Sequence, residues 1–153
     1  MKHKILFVCL GNICRSPMAE FVMKDIVEKA GLSREFEIAS AATSTYEIGN
    51  PVYPPARQKL AEHGIGCDGK TARQITKKDY EYYDYIVAMD NSNISNLKKM
   101  FSNDPDDKFS MLMSYTSRPG EVADPWYTRD FEATWKDVIE GCNAFLKHIL
   151  SKD

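Results

Sequence analysis

The chain has 153 residues, 43% of them hydrophobic and 27% charged, with a formal net charge of −2. A chain of this length buries a core without disulfides or a structural metal, and residues 1–153 are expected to form a single domain. The charge balance lacks the basic excess of a duplex-binding protein, and no apolar run approaches the roughly 20 residues of a membrane span; neither nucleic acid nor membrane is an expected partner.

The opening MKHKILFVCLG has the basic start and apolar run of a signal peptide, but the run is short and ends in Asn12-Ile13-Cys14-Arg15. It reads as a buried first strand, KILFVC, continuously apolar as a central parallel strand is. Ser16 and Pro17 suit an N-cap and a first helical position. Met18, Val22, Ile26 and Ala30 then recur every fourth residue until Gly31 stops the helix. FEIASAA reads as a second strand, followed by a loop with Gly49, Pro51, Pro54 and Pro55 and a helix from Ala56 to His63, stopped by Gly64. YDYIVAMD is a third strand, NSNISNLKKMF a short helix and KFSMLMSY a fourth strand. The last helix, Asp130 to Leu150, carries Phe131, Trp135, Val138, Ile139, Cys142, Phe145, Leu146 and Ile149 on a helical period. This alternation predicts an α/β fold, an open four-stranded parallel sheet with helices on both faces. Cysteines at 9, 14, 67 and 142 form neither a C-x-x-C pair nor a dense framework, which favours reduced thiols and a cytoplasmic location.

Ligands of such sheets bind beyond the carboxyl ends of the strands. Cys9, Ser40 and Asp90 lie where predicted strands end and Asp124 follows the fourth, so all four converge on one edge. Leu10, Gly11, Asn12, Ile13 and Cys14 join the first strand to Arg15 and the helix start. A loop this tight can turn successive N–H groups inward as an anion nest, reinforced by the helix dipole. Arg15 adds a planar fork for two phosphate oxygens, and the same positive surroundings favour the nucleophilic thiolate of Cys9. The set suits phosphoryl transfer to sulfur. No G-x-x-x-x-G-K-[ST] loop is present, and Cys9 and Cys14 lack partners at zinc-ligand spacing, so no metal is expected. Cys9 as a small buried hydrophobe is the plainer alternative; its place between a strand and a capped helix favours chemistry.

The run VCLGNICRSPMAE closely resembles the signature of low-molecular-weight protein tyrosine phosphatases, and ADPWY resembles that family's general-acid loop. SAATSTYEIGNP, HGI, ARQIT and DYIVAMD follow in the family's order, so the resemblance extends over most of the chain. It implies that Cys9 is the nucleophile, Arg15 the phosphate clamp and Asp124 the acid, that Asn12 and Ser16 hold the loop and thiolate, and that no cofactor is needed. It also implies a Cys9–Cys14 disulfide under oxidation, although Cys14 reads equally as packing, and it places His63 near the loop's support. By residue chemistry His63 is a favourable cation at a helix C-terminus, and Asp90 is either a helix cap or a partner of the site.

The expected activity is hydrolysis of phosphotyrosine, in proteins or as small aryl phosphates, by a monomer. A tyrosine leaving group has a pKa near 10, so a positioned acid accelerates its departure by roughly 10² to 10⁴. Ile13, Tyr46, Trp126 and Tyr127 would wall a cleft for a planar aryl group. In related arginine phosphatases threonine typically stands at the place of Ile13, which leans this chain toward phosphotyrosine. Trp126 stands where tyrosine or phenylalanine is usual, and Thr128-Arg129 replaces a common glycine. A thiol-coupled arsenate reductase would need a further cysteine pair after the third strand, absent from DNSNISNLKKM. A phosphocarrier would have no use for Asp124.

Overall fold

The computed structural model describes residues 2–152. Its organising element is β1 (His3–Cys9), in which Ile5, Leu6, Phe7 and Val8 are wholly enclosed. Successive side chains of a strand point to opposite faces: Ile5, Phe7 and Cys9 enter one apolar cluster, Leu6 and Val8 another. β2 (Phe36–Ala42) and β3 (Tyr85–Ala88) pair with β1 in parallel on either side, and β4 (Phe109–Met111) pairs in parallel with β3. The order β2-β1-β3-β4 places a topological switch between β1 and β3, where a crevice opens at the strands' carboxyl ends. The expected fold is the one observed. α1 (Arg15–Lys29), α2 (Pro54–Glu62) and α6 (Phe131–Leu150) cover one face, and α3 (Lys77–Tyr82) and α4 (Asn91–Met100) the other. α5 (Pro125–Thr128) is a single turn between β4 and α6.

The elements differ from expectation in several places, the unpredicted turn α5 and the shorter β3 among them. α1 starts at Arg15 with Cys14 as its N-cap, so Ser16 lies inside the first turn and its hydroxyl is free for other work. Ile26 is only half-buried and Ala30 exposed, whereas Met23 and Val27 are enclosed; a four-residue repeat drifts off the face of a helix that turns every 3.6 residues. KFSMLMSY is strand only over Phe109–Met111, because β4 pairs with just three residues of β3; Leu112–Tyr115 then curls into a 3-10 turn that buries Leu112 and Met113. α3 escaped the reading altogether. It is short, and what stabilises it is a reciprocal cap between Thr76 and Asp79 rather than an apolar period.

α6 lies against that 3-10 turn at Gly141, where an added Cβ would stand 2.5 Å from Leu112 Cγ. Gly141→Ala should therefore destabilise the protein even though alanine favours a helix by about 1 kcal/mol, since forcing a methyl into a packed core typically costs about 1–3 kcal/mol. A lower urea midpoint with an unchanged m-value is the expected result; a higher midpoint would mean that Leu112 moves aside freely.

Candidate active site

Cys9 is the last residue of β1, and Arg15 the first of α1. The loop between them closes through Asn12, whose backbone is left-handed at φ 60°. Asparagine tolerates that conformation better than most side chains, and here three bonds of its own amide hold it. Nδ2 donates to Ser16 Oγ at 2.8 Å and to Ser40 Oγ at 3.0 Å, and Oδ1 accepts from the Arg73 backbone at 3.2 Å. The turn aims the Asn12 N–H at Cys9 Sγ, 3.3 Å away, and Ser16 Oγ meets the same sulfur at 3.0 Å. Cys9 is thus gripped by a backbone amide and a hydroxyl at the mouth of the sheet.

Arg15 is 2% exposed. Its Nη1 donates to Asp90 Oδ2 and to the Val122 carbonyl, both at 2.8 Å, and Nη2 reaches Asp124 Oδ2 at 3.4 Å. Burial by itself lowers the pKa of the guanidinium; Cys9, Asp124 and Asp90 outweigh it, and the net shift is upward. Asp90 serves both of the roles left open by sequence, since its Oδ1 caps α4 at the Asn93 N–H while Oδ2 holds Arg15. Asp124 caps α5, accepting from the Trp126 N–H at 3.0 Å.

Cys9, Leu10, Gly11, Asn12, Ile13, Cys14, Arg15, Tyr46, Asp124, Trp126 and Tyr127 line one cleft of about 190 Å³, together with Glu47, which sequence reasoning did not single out. Drug-sized pockets run roughly 300–1,000 Å³; this one suits a single side chain. Tyr46 and Tyr127 stand exposed at its rim. Burial, then Cys9 and Asp124, push the Cys14 thiol up to about 12, which keeps it protonated near neutrality. Among the described residues, no group of three or more His, Cys, Asp or Glu is placed to hold a metal ion.

His63 caps the end of α2 on the exposed surface and stacks on Trp135 of α6, ring centroids 4.3 Å apart, and no hydrogen bond among the described residues joins it to the phosphate loop. The cation in the loop's support is Lys70, whose Nζ donates to the Ser40 carbonyl at 2.9 Å and lies 3.8 Å from Glu20. Glu20 in turn accepts from Ser40 Oγ at 2.6 Å. Burial lowers the pKa of Lys70, partly offset by Glu20. The remaining support comes through Arg73, whose side chain forks onto Asp79 of α3 at 2.8 and 3.1 Å while its backbone serves Asn12. Nothing in the periodicity of the chain marks Lys70 or Arg73; both lie in an irregular segment after α2, and only the fold brings it under the loop.

A parallel sheet delivers a gripped thiol, a buried arginine and an aspartate to its switch point, an arrangement suited to binding a phosphoryl group beside sulfur. Residues 4–153 match the family described as low molecular weight phosphotyrosine protein phosphatase, and the chain belongs to that family. It is 40% identical over 147 residues to the low molecular weight protein-tyrosine-phosphatase YfkJ of Bacillus subtilis, with 95% of this chain and 94% of that protein covered. The crystal structure of YfkJ superposes with a TM-score of 0.97 over all of this chain and 98% of the other, at 37% identity. The human low molecular weight phosphotyrosine protein phosphatase is 42% identical over 149 residues, covering 94% of this chain and 93% of its own. The crystal structure of SP-PTP from Streptococcus pyogenes has a TM-score of 0.87 at 46% identity, covering 97% of this chain and 93% of that one.

The Lys70 bridge is open to test. Lys70→Met keeps the apolar stem but leaves Glu20 with less compensation, and should lower stability by about 1–3 kcal/mol in urea denaturation, the range for a lost charged hydrogen bond. Adding Glu20→Gln should recover part of that loss. Additive losses would show that the two side chains do not act as a pair.

Proposed function

We propose that this chain is a protein-tyrosine-phosphatase that hydrolyses phosphotyrosine and small aryl phosphates through a phosphate ester of Cys9. The observation that carries the reading is the meeting of Cys9, Arg15 and Asp124 in one cleft, with Arg15 anchored 3.4 Å from Asp124. The Cys9 thiolate attacks phosphorus, forming the S–P bond as the P–O bond to the phenol breaks. Asp124 gives its proton to the departing phenol oxygen. Asp124, now a carboxylate, takes a proton from water, whose oxygen attacks phosphorus; the S–P bond breaks, and inorganic phosphate and the thiolate are regenerated. Arg15 binds two of the non-bridging oxygens in both steps as a planar fork, a role that a point charge fills poorly. Asn12 and Ser16 hold the thiolate, and Ser16 Oγ at 3.0 Å stabilises it as the leaving group of the second step. Ile13, Tyr46, Trp126 and Tyr127 give the cleft the apolar and aromatic sides that receive a planar ring. None of these steps calls for a metal or an organic cofactor.

The protein is proposed to act as a cytoplasmic monomer on phosphotyrosine-bearing proteins, without nucleic acid or membrane. Among the described residues no helix is long and apolar enough to cross a membrane.

Steady release of p-nitrophenol from p-nitrophenyl phosphate should persist in excess chelator. Cys9→Ser should abolish it while the folded protein still binds tungstate or vanadate, because a serine hydroxyl without an adjacent base is a poor nucleophile. Substantial turnover by Cys9→Ser, or a preference for phosphoarginine over phosphotyrosine in the parent, would refute the assignment.

Oxidation probes the two loop cysteines. Peroxide converts the Cys9 thiolate to a sulfenic acid, releasing water or hydroxide, and the Cys14 thiol condenses with it to a disulfide with loss of water. Inactivation by peroxide should therefore be reversed by dithiothreitol, and largely irreversible in Cys14→Ser. Equal recovery of the two proteins would reduce Cys14 to a packing residue.

A further inference from the structure

Arg129 has no part in the chemistry above, yet it occupies an unfavourable backbone position. It ends α5 in the left-handed conformation, φ 62° and ψ 13°, which glycine adopts freely and arginine only at a cost. Its side chain makes contacts that no glycine could. The guanidinium lies over the Trp126 ring, 5.5 Å from its centroid, and Nη1 donates to Tyr53 Oη at 3.1 Å. The Tyr53 and Trp126 rings meet with centroids 4.9 Å apart, and Tyr53 also stacks on Phe131. Tyr53 is tied in turn to the phosphate loop, its N–H donating to the Ile13 carbonyl at 2.9 Å. On the other side, the Trp126 N–H holds Asp124 Oδ1, while Oδ2 faces Arg15. A continuous line of contacts therefore runs from Ile13 through Tyr53 to Arg129 and Trp126, and ends on the Asp124 carboxylate.

We propose that Arg129, Trp126 and Tyr53 form a clamp that holds the acid loop against the phosphate loop, with Arg129 a positioning residue for proton transfer from Asp124. The proposal rests on Asp124 being the acid. Trp126 is the hinge between ring and carboxylate: its indole is fixed by Tyr53 and Arg129, and its backbone amide selects which carboxylate oxygen is engaged and which faces the cleft. The left-handed backbone at Arg129 is maintained because the turn delivers the guanidinium to two aromatic partners at once. Arginine suits this place better than lysine, since its planar head can lie on a ring while donating edge-on to a hydroxyl.

The test is the dependence of kcat/KM on leaving-group pKa across a series of aryl phosphates, because kcat/KM reports the step in which the phenol departs. Arg129→Gly relieves the backbone and removes the clamp together, so its melting temperature should hold or rise. Its kcat/KM for phosphotyrosine should nevertheless fall roughly 10-fold, a part of the general-acid factor. For aryl phosphates whose phenols are acidic enough to leave as anions, the fall should stay within about 2-fold, so the plot against leaving-group pKa steepens. Tyr53→Phe deletes only the hydroxyl and should steepen it less, and Arg129→Lys should lie between parent and Arg129→Gly. In an Asp124→Ala background, Arg129→Gly should add no further slope. An equal fall for every substrate, or none, in the Arg129 variants overturns the clamp. If those variants fail while Asp124→Ala alone steepens the plot, the acid assignment stands without the clamp; if Asp124→Ala leaves the parent slope, the acid assignment falls and the clamp with it.

Discussion

The buried charge of Arg15 is the constraint from which the site is built. A guanidinium taken out of water carries a cost of several kcal/mol unless its donors find partners, and Arg15 finds them in two segments: Asp90 after β3, and the loop before α5 through the Val122 carbonyl and Asp124. Asp90 is itself pinned as the cap of α4, and the Val122 N–H returns to the Met89 carbonyl at 2.8 Å. One side chain thereby draws the end of the sheet, the segment after β4 and the acid turn to the carboxyl edge of β1. That convergence brings the Asp124 carboxyl, the Cys9 thiol and the Arg15 guanidinium into one cleft.

The second constraint is the bend in the loop. Asn12 in its left-handed turn is held by Ser16, Ser40 and the Arg73 backbone, and Ser40 is held by Glu20 and Lys70. Each polar group in this buried array has partners, which is what a low-dielectric interior demands. The array also explains why Ser16 is not a helix cap: its hydroxyl meets the sulfur and the Asn12 amide, and the start of α1 is left to the loop itself. Rigidity here serves chemistry, since donors fixed before the substrate arrives need no reorganisation as charge develops on the phosphoryl oxygens.

The acid loop is built on a different balance. Its aromatic residues are half-exposed or exposed, with Trp126 at 41% and Tyr127 at 76%, and its helical turn is only four residues long. Such a segment has little core to hold it, so its position depends on a few specific contacts and on a backbone angle that those contacts maintain. Trp126, Arg129 and Tyr53 make those contacts.

Much of this was legible in the chain. The continuous apolar run of β1, the alternation of strand and helix, and the spacing from Cys9 to Arg15 determined the sheet, its winding and the site's edge, because those signals are local and follow from side-chain period and turn chemistry. That Asp124 lines the same cleft as Cys9 followed from the rule that such sheets bind ligands at their carboxyl ends. Only the tertiary structure decided that His63 stacks on Trp135 while Lys70 joins the loop's support, that Arg73 and the short helix α3 brace Asn12, and that Tyr53 meets Arg129. These pairings join residues as far apart as 76 positions in sequence, through irregular segments without a period to read. Their partners are set by how α2, α6 and the loops pack, which is a property of the whole core and not of any stretch of the chain.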